Sequence, residues 1–191
     1  MENAGVLFTV GHGNLDRRSL GGLLTGADIH ALVDVRRFPG SRTNPDMRRD
    51  ELSRWLPDLG IDYRWEQRLG GRRRLPADQT SLDPWWTVAA FRAYAAHTRT
   101  PEFAAALDDV VIQTSCTRVA IMCAETLWWR CHRRLVADVV VMTHARAVRH
   151  VMPDGRLSEH RVAAGARLDG NGAVRWDRAE STVVTTARPR N

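Results

Sequence analysis

Two short segments carry most of the residue types that do chemistry: Cys123-Ala124-Glu125 and, a few residues on, Cys131-His132-Arg133. A thiol near a helix start and cationic groups has its thiolate favoured, and a neighbouring carboxylate or imidazole can take or give a proton. Glu125, His132 and Cys123 are therefore the expected catalytic groups, serving as base, proton carrier and nucleophile. The cysteines also have a plain packing reading. Cys131 sits on the apolar stripe of the following helix, and Cys123 ends a buried strand as a small hydrophobe. A cysteine-phosphatase loop is excluded, because the interval from Cys123 to Arg130 does not fit that motif. A metal site is not expected either. Cys123, Cys131 and His132 are ligand types, but their spacing is not that of a zinc finger, and adjacent ligands at 131 and 132 are awkward to aim at one ion. No other cofactor is implied.

Further groups suited to ligand binding fall in loops. His12 follows the first apolar run, and Asp34, Arg36, Arg37, Ser41 and Arg42 follow the second. The arginines of that loop can clamp an anion or pair internally with Asp34. Gly70, Gly71 and Arg72 open a basic run in which glycine permits close backbone approach to a phosphate. Trp128 and Trp129 could stack on a base or wall off water. Arg133, beside His132, could bind phosphate.

The bulk composition narrows the chemistry. All 28 basic residues are arginine against 22 acidic ones, for a net charge of +6. Without lysine, neither a Walker phosphate loop nor a side-chain Schiff base can be built. The positive balance makes a nucleic acid or a phosphorylated small molecule a reasonable partner. Three cysteines and the lack of a secretory pattern at the N-terminus predict reduced thiols and a cytoplasmic location. The longest apolar runs fall short of the roughly 20 residues a membrane span needs. Oligomeric state is not legible.

The elements that must position these residues follow from periodicity. Val6-Leu-Phe-Thr-Val10, Ala31-Leu-Val-Asp-Val35 and Arg118-Val-Ala-Ile-Met-Cys123 read as buried strands. Asp16 caps a helix bearing Leu20, Leu23 and Leu24, and Thr100-Pro101 starts another. Leu52 to Leu59 predicts a helix ended by Gly60, and Ile61-Asp-Tyr63 a short strand. Residues 64–84 predict an ordered loop or flap, 85–98 a helix, 131–143 a helix, and 147–151 a strand. Leu168 to Trp176 suggests a hairpin, with a frayed tail from Ala179. Strands alternating with helices predict an α/β fold, a mostly parallel sheet flanked by helices on both faces. The expectation is a single compact domain over 1–161 with a polar C-terminal extension over 162–191. In such sheets ligands bind beyond the carboxyl ends of the strands, where His12, the Asp34 loop and the Cys123 to Arg133 segment converge.

Taken in order, Thr9-Val-Gly-His12, Val33-Asp-Val-Arg-Arg37 with Pro39-Gly-Ser41, Leu69-Gly-Gly71, Cys123-Ala-Glu125, Cys131-His-Arg133, and Asp154-Gly155 with His160 resemble the bacterial and archaeal family called domain of unknown function 488. The resemblance runs from about residue 6 to 161. It implies a compact α/β domain with a polar pocket formed by these motifs. The family's Gly-His is usually followed by Ser, where this chain has Gly13. Val-Asp-Val-Arg also looks like an early rhodanese strand, but the cysteine loop of that family has no counterpart here.

Together these features predict an enzyme acting on a nucleic acid, a nucleotide or another phosphorylated ligand, with hydrolysis of an N-glycosidic or similar bond as the candidate reaction. In that reading Glu125 activates water, His132 moves a proton, and Arg36, Arg72 and Arg133 hold phosphate. A non-catalytic nucleic-acid or protein binding module is the main alternative. A thiol, sulfur-transfer or metal-binding protein is a lesser one.

Overall fold

The computed structural model describes residues 5–41, 43–76 and 78–178. In chain order the elements are β1 (Leu7–Gly11), α1 (Arg17–Gly26), β2 (Ala31–Asp34), α2 (Arg49–Trp55), β3 (Asp62–Trp65), α3 (Ala89–His97), α4 (Pro101–Gln113), β4 (Val119–Cys123), α5 (Arg133–His144), β5 (Val148–Val151), β6 (Leu157–Glu159), β7 (Ala166–Leu168) and β8 (Val174–Trp176). Six strands form one sheet in the order β3-β2-β4-β1-β5-β6. The first five are parallel, and β6 closes one edge antiparallel to β5.

Every residue of β1, β2 and β4 is buried, which explains their unbroken apolar character: a central parallel strand is covered on both faces. Alternation sorts their side chains. Phe8, Val10, Leu32, Ala120 and Met122 pack with Leu20, Leu24, Leu52 and Trp55 of α1 and α2. Leu7, Val33, Val119, Ile121 and Cys123 pack with residues of α3, α4 and α5. Local signals set the helix starts. Asp16 accepts from Ser19 N at 2.8 Å ahead of α1, and Thr100 accepts from Phe103 N at 3.2 Å ahead of α4, where Pro101 occupies the first turn.

The strand order determines where a site can form. From β1 the chain passes through α1 on one face to β2, and from β4 through α5 on the opposite face to β5. β1 and β4 are adjacent, with Gly11 opposite Cys123, so their outgoing loops part and leave a crevice between them. Gly11 is a glycine because of that closeness: a Cβ there would collide with the backbone carbonyl oxygen of Glu125. On the other side of β4, Asp34 sits opposite Met122, which brings the β2 loop to the same rim.

Several elements differ in extent from the sequence reading. The helix predicted over 85–98 begins only at Ala89. Trp85 and Trp86 instead pack as a T-shaped pair 4.6 Å apart, and Trp85 N donates to Trp176 O. Burial of large rings against a distant segment overrides local helix preference there. The helix around Leu52 ends at Trp55 and continues as a short 3-10 turn over Pro57–Leu59, after which Gly60 takes the left-handed conformation at φ 70°. The predicted hairpin forms as β7 and β8, and its Ala166, Val174 and Trp176 are part of the core. The tail from Ala179 lies outside the described residues. Among the described residues, no helix is long and apolar enough to cross a membrane.

Candidate functional site

The β1 and β2 loops meet through a buried polar chain. Arg36 grips Asp34 with both ends of its guanidinium, Nε to Oδ1 at 2.8 Å and Nη2 to Oδ2 at 2.6 Å, and Tyr63 Oη donates to Oδ2 at 2.8 Å. Asp34 is fully buried and Arg36 nearly so, so each needs the other. The pair is also braced by Trp65, whose Nε1 donates to Arg36 O at 2.8 Å. Burial and the adjacent Asp34 carboxylate raise the Tyr63 phenol well above its ordinary value. Arg36 Nη1 lies 3.1 Å from His12 Nε2, and His12 Nδ1 lies 2.9 Å from Gly13 O. A carbonyl accepts and a guanidinium donates, so Nδ1 carries the proton and Nε2 is the acceptor. Burial, reinforced by Arg36, lowers the His12 pKa to about 4 and keeps the ring neutral. Both nitrogens are occupied, which makes His12 a positioning group.

The β4 loop builds the reactive cluster. Cys123 Sγ and Cys131 Sγ lie 3.8 and 3.5 Å from the same nitrogen, His132 Nδ1. Cys131 is extended (φ −118°, ψ 153°) and His132 is helical (φ −58°, ψ −19°). The reversal of backbone direction between these neighbours turns both side chains toward one point. Their adjacency, read from sequence as an obstacle to convergence, is overcome by this kink just ahead of α5. The imidazole lies beside Tyr94, with ring centres 4.8 Å apart, and Gly71 presses on it as well: a Cβ at Gly71 would fall 2.8 Å from Nδ1. Only glycine lets the flap backbone approach so closely. Burial alone would raise the Cys131 thiol, but a hydrogen bond from Cys123, the His132 ring and the Arg133 guanidinium outweigh it and hold Cys131 well below the ordinary thiol range. Hydrogen bonding to Cys131, together with burial, pushes Cys123 up.

Arg133 is almost fully buried beneath this cluster. Its Nε donates to Cys131 Sγ at 3.4 Å, and its Nη2 donates to Glu125 O and, at 3.4 Å, to Thr126 O. The side chain predicted to bind phosphate is therefore committed to holding the β4 loop. Beyond it runs a buried relay: Thr9 Oγ1 to His150 Nδ1 at 2.7 Å, His150 Nε2 to His160 Nδ1 at 3.1 Å, and His160 Nε2 to Asp138 Oδ1 at 2.7 Å. Trp128 stacks on His150 at 4.0 Å between ring centres, so it serves the relay and not an open binding face.

Two pockets open along the rim, and Ala124 borders both. One, about 120 Å³, is lined by Arg36, Arg37, Phe38, Gly71, Arg72, Cys123 and His132 as well as Ala124. The other, about 380 Å³, contains His12, Ser41, Asn44, Glu125 and Thr126 among its lining residues. Cys123 and Glu125 thus face different pockets, and the titratable side chain beside Cys123 in its pocket is His132, while Glu125 meets the sulfur only through its backbone N–H. Glu125 is exposed, with Leu127 N as its near partner at 3.4 Å. Among the described residues, neither Arg37 nor Arg72 is paired with a carboxylate.

The family model described as domain of unknown function DUF488 matches residues 17–140. The chain belongs to the DUF488 family. No curated protein and no solved structure matches the chain at a significant level. The part shared with DUF488 takes in the Asp34 loop, the Gly70 flap and the whole Cys123 to Arg133 segment, and it stops before His150 and His160.

Most of the residues singled out by sequence reach this DUF488 rim. Gly70 supports the flap, its hydrogen facing the backbone of Arg37, where a Cβ would come within 2.9 Å of the Arg37 Cα. Ser41 Oγ accepts from Asn44 N at 2.9 Å and shapes the larger pocket. Trp129 is exposed and Trp128 is turned inward. Arg42 lies outside the described residues. Sequence reasoning did not single out Tyr63, His150 or Asp138, and met Thr9 only as the first residue of the Thr9-Val-Gly-His12 motif. Their types carry no signal until β1, β3, β5 and α5 are brought together in space.

Proposed function

We propose that this DUF488 protein is a hydrolase of a nucleotide or a similarly phosphorylated ligand. The observation that carries the reading is the 120 Å³ pocket in which Arg37 and Arg72, without carboxylate partners among the described residues, face the same space as Cys123 and His132. Ligand pockets generally span about 300 to 1,000 Å³, so this one takes a phosphate-sized group and leaves the rest of the ligand outside. Phe38, 62% exposed at the rim, offers an apolar face to a sugar or base. Glu125 stands in the adjoining pocket, with Ala124 between the two, so a ligand whose phosphate fills the smaller pocket would offer Glu125 a bond further along, such as an N-glycosidic bond. Glu125 takes a proton from water, the water oxygen adds to the anomeric carbon as the bond to nitrogen breaks, and the leaving base is protonated from solvent while Glu125 returns its proton to solvent, which closes the balance. With no lysine in the chain, the reaction proceeds without a Schiff base.

Wild-type protein and Glu125→Gln are assayed against a panel of nucleosides, nucleotides and sugar phosphates, with phosphate affinity measured separately by calorimetry. Turnover limited to phosphorylated members and abolished by Glu125→Gln is expected, together with phosphate binding weakened at least about tenfold in Arg37→Ala/Arg72→Ala. Full turnover by Glu125→Gln refutes the base. Exposed Phe38 and Trp129 favour a second reading, binding of a nucleic-acid end without turnover. Salt-dependent binding that survives joint substitution of Cys123, Glu125 and His132 would select it.

A further inference from the structure

We propose that Cys123, Cys131 and His132 form a site for a divalent transition metal, zinc by its ligand chemistry, with one coordination position turned toward the arginine-lined pocket. The three ligand atoms, two sulfurs and an imidazole nitrogen, lie within 4.8 Å of one another. Tetrahedral zinc, with Zn–S of about 2.3 Å and Zn–N of about 2.0 Å, spaces a sulfur and a nitrogen about 3.5 to 3.6 Å apart. The sulfur-to-nitrogen distances of 3.5 and 3.8 Å match that spacing, and the two sulfurs, within 4.8 Å of each other, need to close by up to about 1 Å on the ion.

The surroundings support the same assignment. Among the described residues His132 Nε2 is buried without a partner, and the polar contacts that orient the ring come from the two sulfurs at Nδ1. A metal on Nδ1 gives that orientation a purpose. Arg133 Nε donates to Cys131 Sγ from a guanidinium fixed on Glu125 O, the kind of outer contact that holds a metal-bound thiolate in place. Two thiolates balance a divalent ion, and among the described residues no fourth histidine, cysteine or carboxylate joins the group. A site with three protein ligands leaves a position open, as catalytic zinc sites do and structural ones do not. Cys131 lies beneath, while Cys123 and His132 line the pocket, so that open position faces Arg37 and Arg72. The metal would bind one oxygen of an anion whose other oxygens the arginines hold.

The test uses the full chain and metal alone, so its outcome is independent of phosphate binding. Protein purified without chelators is analysed for metal content. Metal-free protein is then titrated with Co²⁺ as a spectroscopic probe and back-titrated with Zn²⁺. Stoichiometric uptake is expected, with a thiolate-to-cobalt charge-transfer band and tetrahedral visible bands that zinc abolishes. Cys123→Ser and Cys131→Ser weaken binding by about 100-fold or more, and Cys116→Ser, at an exposed thiol outside the cluster, leaves it unchanged. Absence of the cobalt bands in folded, fully reduced wild-type protein overturns the proposal. A Cys123–Cys131 disulfide formed on mild oxidation, with no metal uptake by the reduced form, would identify a redox pair instead.

Discussion

Acidification from about pH 7 to about pH 5 should destabilise this protein by about 4 kcal/mol through two buried histidines. An exposed histidine titrates near 6.5. Burial, then Arg36, brings His12 to about 4, and burial, then His160, brings His150 to about 2. Both folded values are depressed, so the unfolded chain takes up the protons first. Stability is complete above 6.5 and falls as the pH drops, until each folded-state value is passed. Each group contributes about 1.4 kcal/mol per pH unit within its window, hence about 2 kcal/mol by pH 5. His97, also lowered by burial, acts in the same direction. Against a typical total of about 5 to 15 kcal/mol, the loss is large. Urea unfolding followed by tryptophan fluorescence at several pH values measures it. His150→Phe keeps a flat ring against Trp128 and removes one of the three titrating sites, so its pH slope should fall by about a third to a half. A change below about 1 kcal/mol in the wild type, or an unaltered slope in His150→Phe, would refute the argument.

Two further substitutions probe the supports of the site. Asp34→Asn keeps the shape but strips the buried charge from Arg36, and should cost about 3 to 5 kcal/mol in urea unfolding, partly recovered by adding Arg36→Met. A loss under about 1 kcal/mol would show that Arg36 finds another partner. Trp176→Phe removes the Nε1 donor that lies 2.7 Å from Asp138 Oδ2 and should cost about 1.5 to 3 kcal/mol. Trp129→Phe, at an exposed position, should stay within about 0.5 kcal/mol; similar losses for both would mean that ring volume, not the hydrogen bond, sets the effect.

The chain by itself determined the layered α/β architecture and the rim on which its chemistry collects. Local rules sufficed for that: unbroken apolar runs mark the central strands, Asp16 and Thr100 announce helix starts, and polar residues cluster where those strands end. Motif order likewise marked Cys123, Cys131, His132 and the Asp34 loop as belonging together. Tertiary structure decided what those residues can do. Arg133 reads as an anion binder until its guanidinium is found spent on Cys131 and the β4 loop carbonyls. Glu125 and Cys123 are near neighbours in sequence yet open onto different pockets, because the chain leaves β4 between two diverging loops. Adjacent Cys131 and His132 converge only through the backbone kink before α5. The His150–His160–Asp138 relay and the burial of Trp176 depend on contacts between segments far apart in the chain. Such contacts leave no periodic trace, since sequence pattern records which face of an element is buried but not which residue it is buried against.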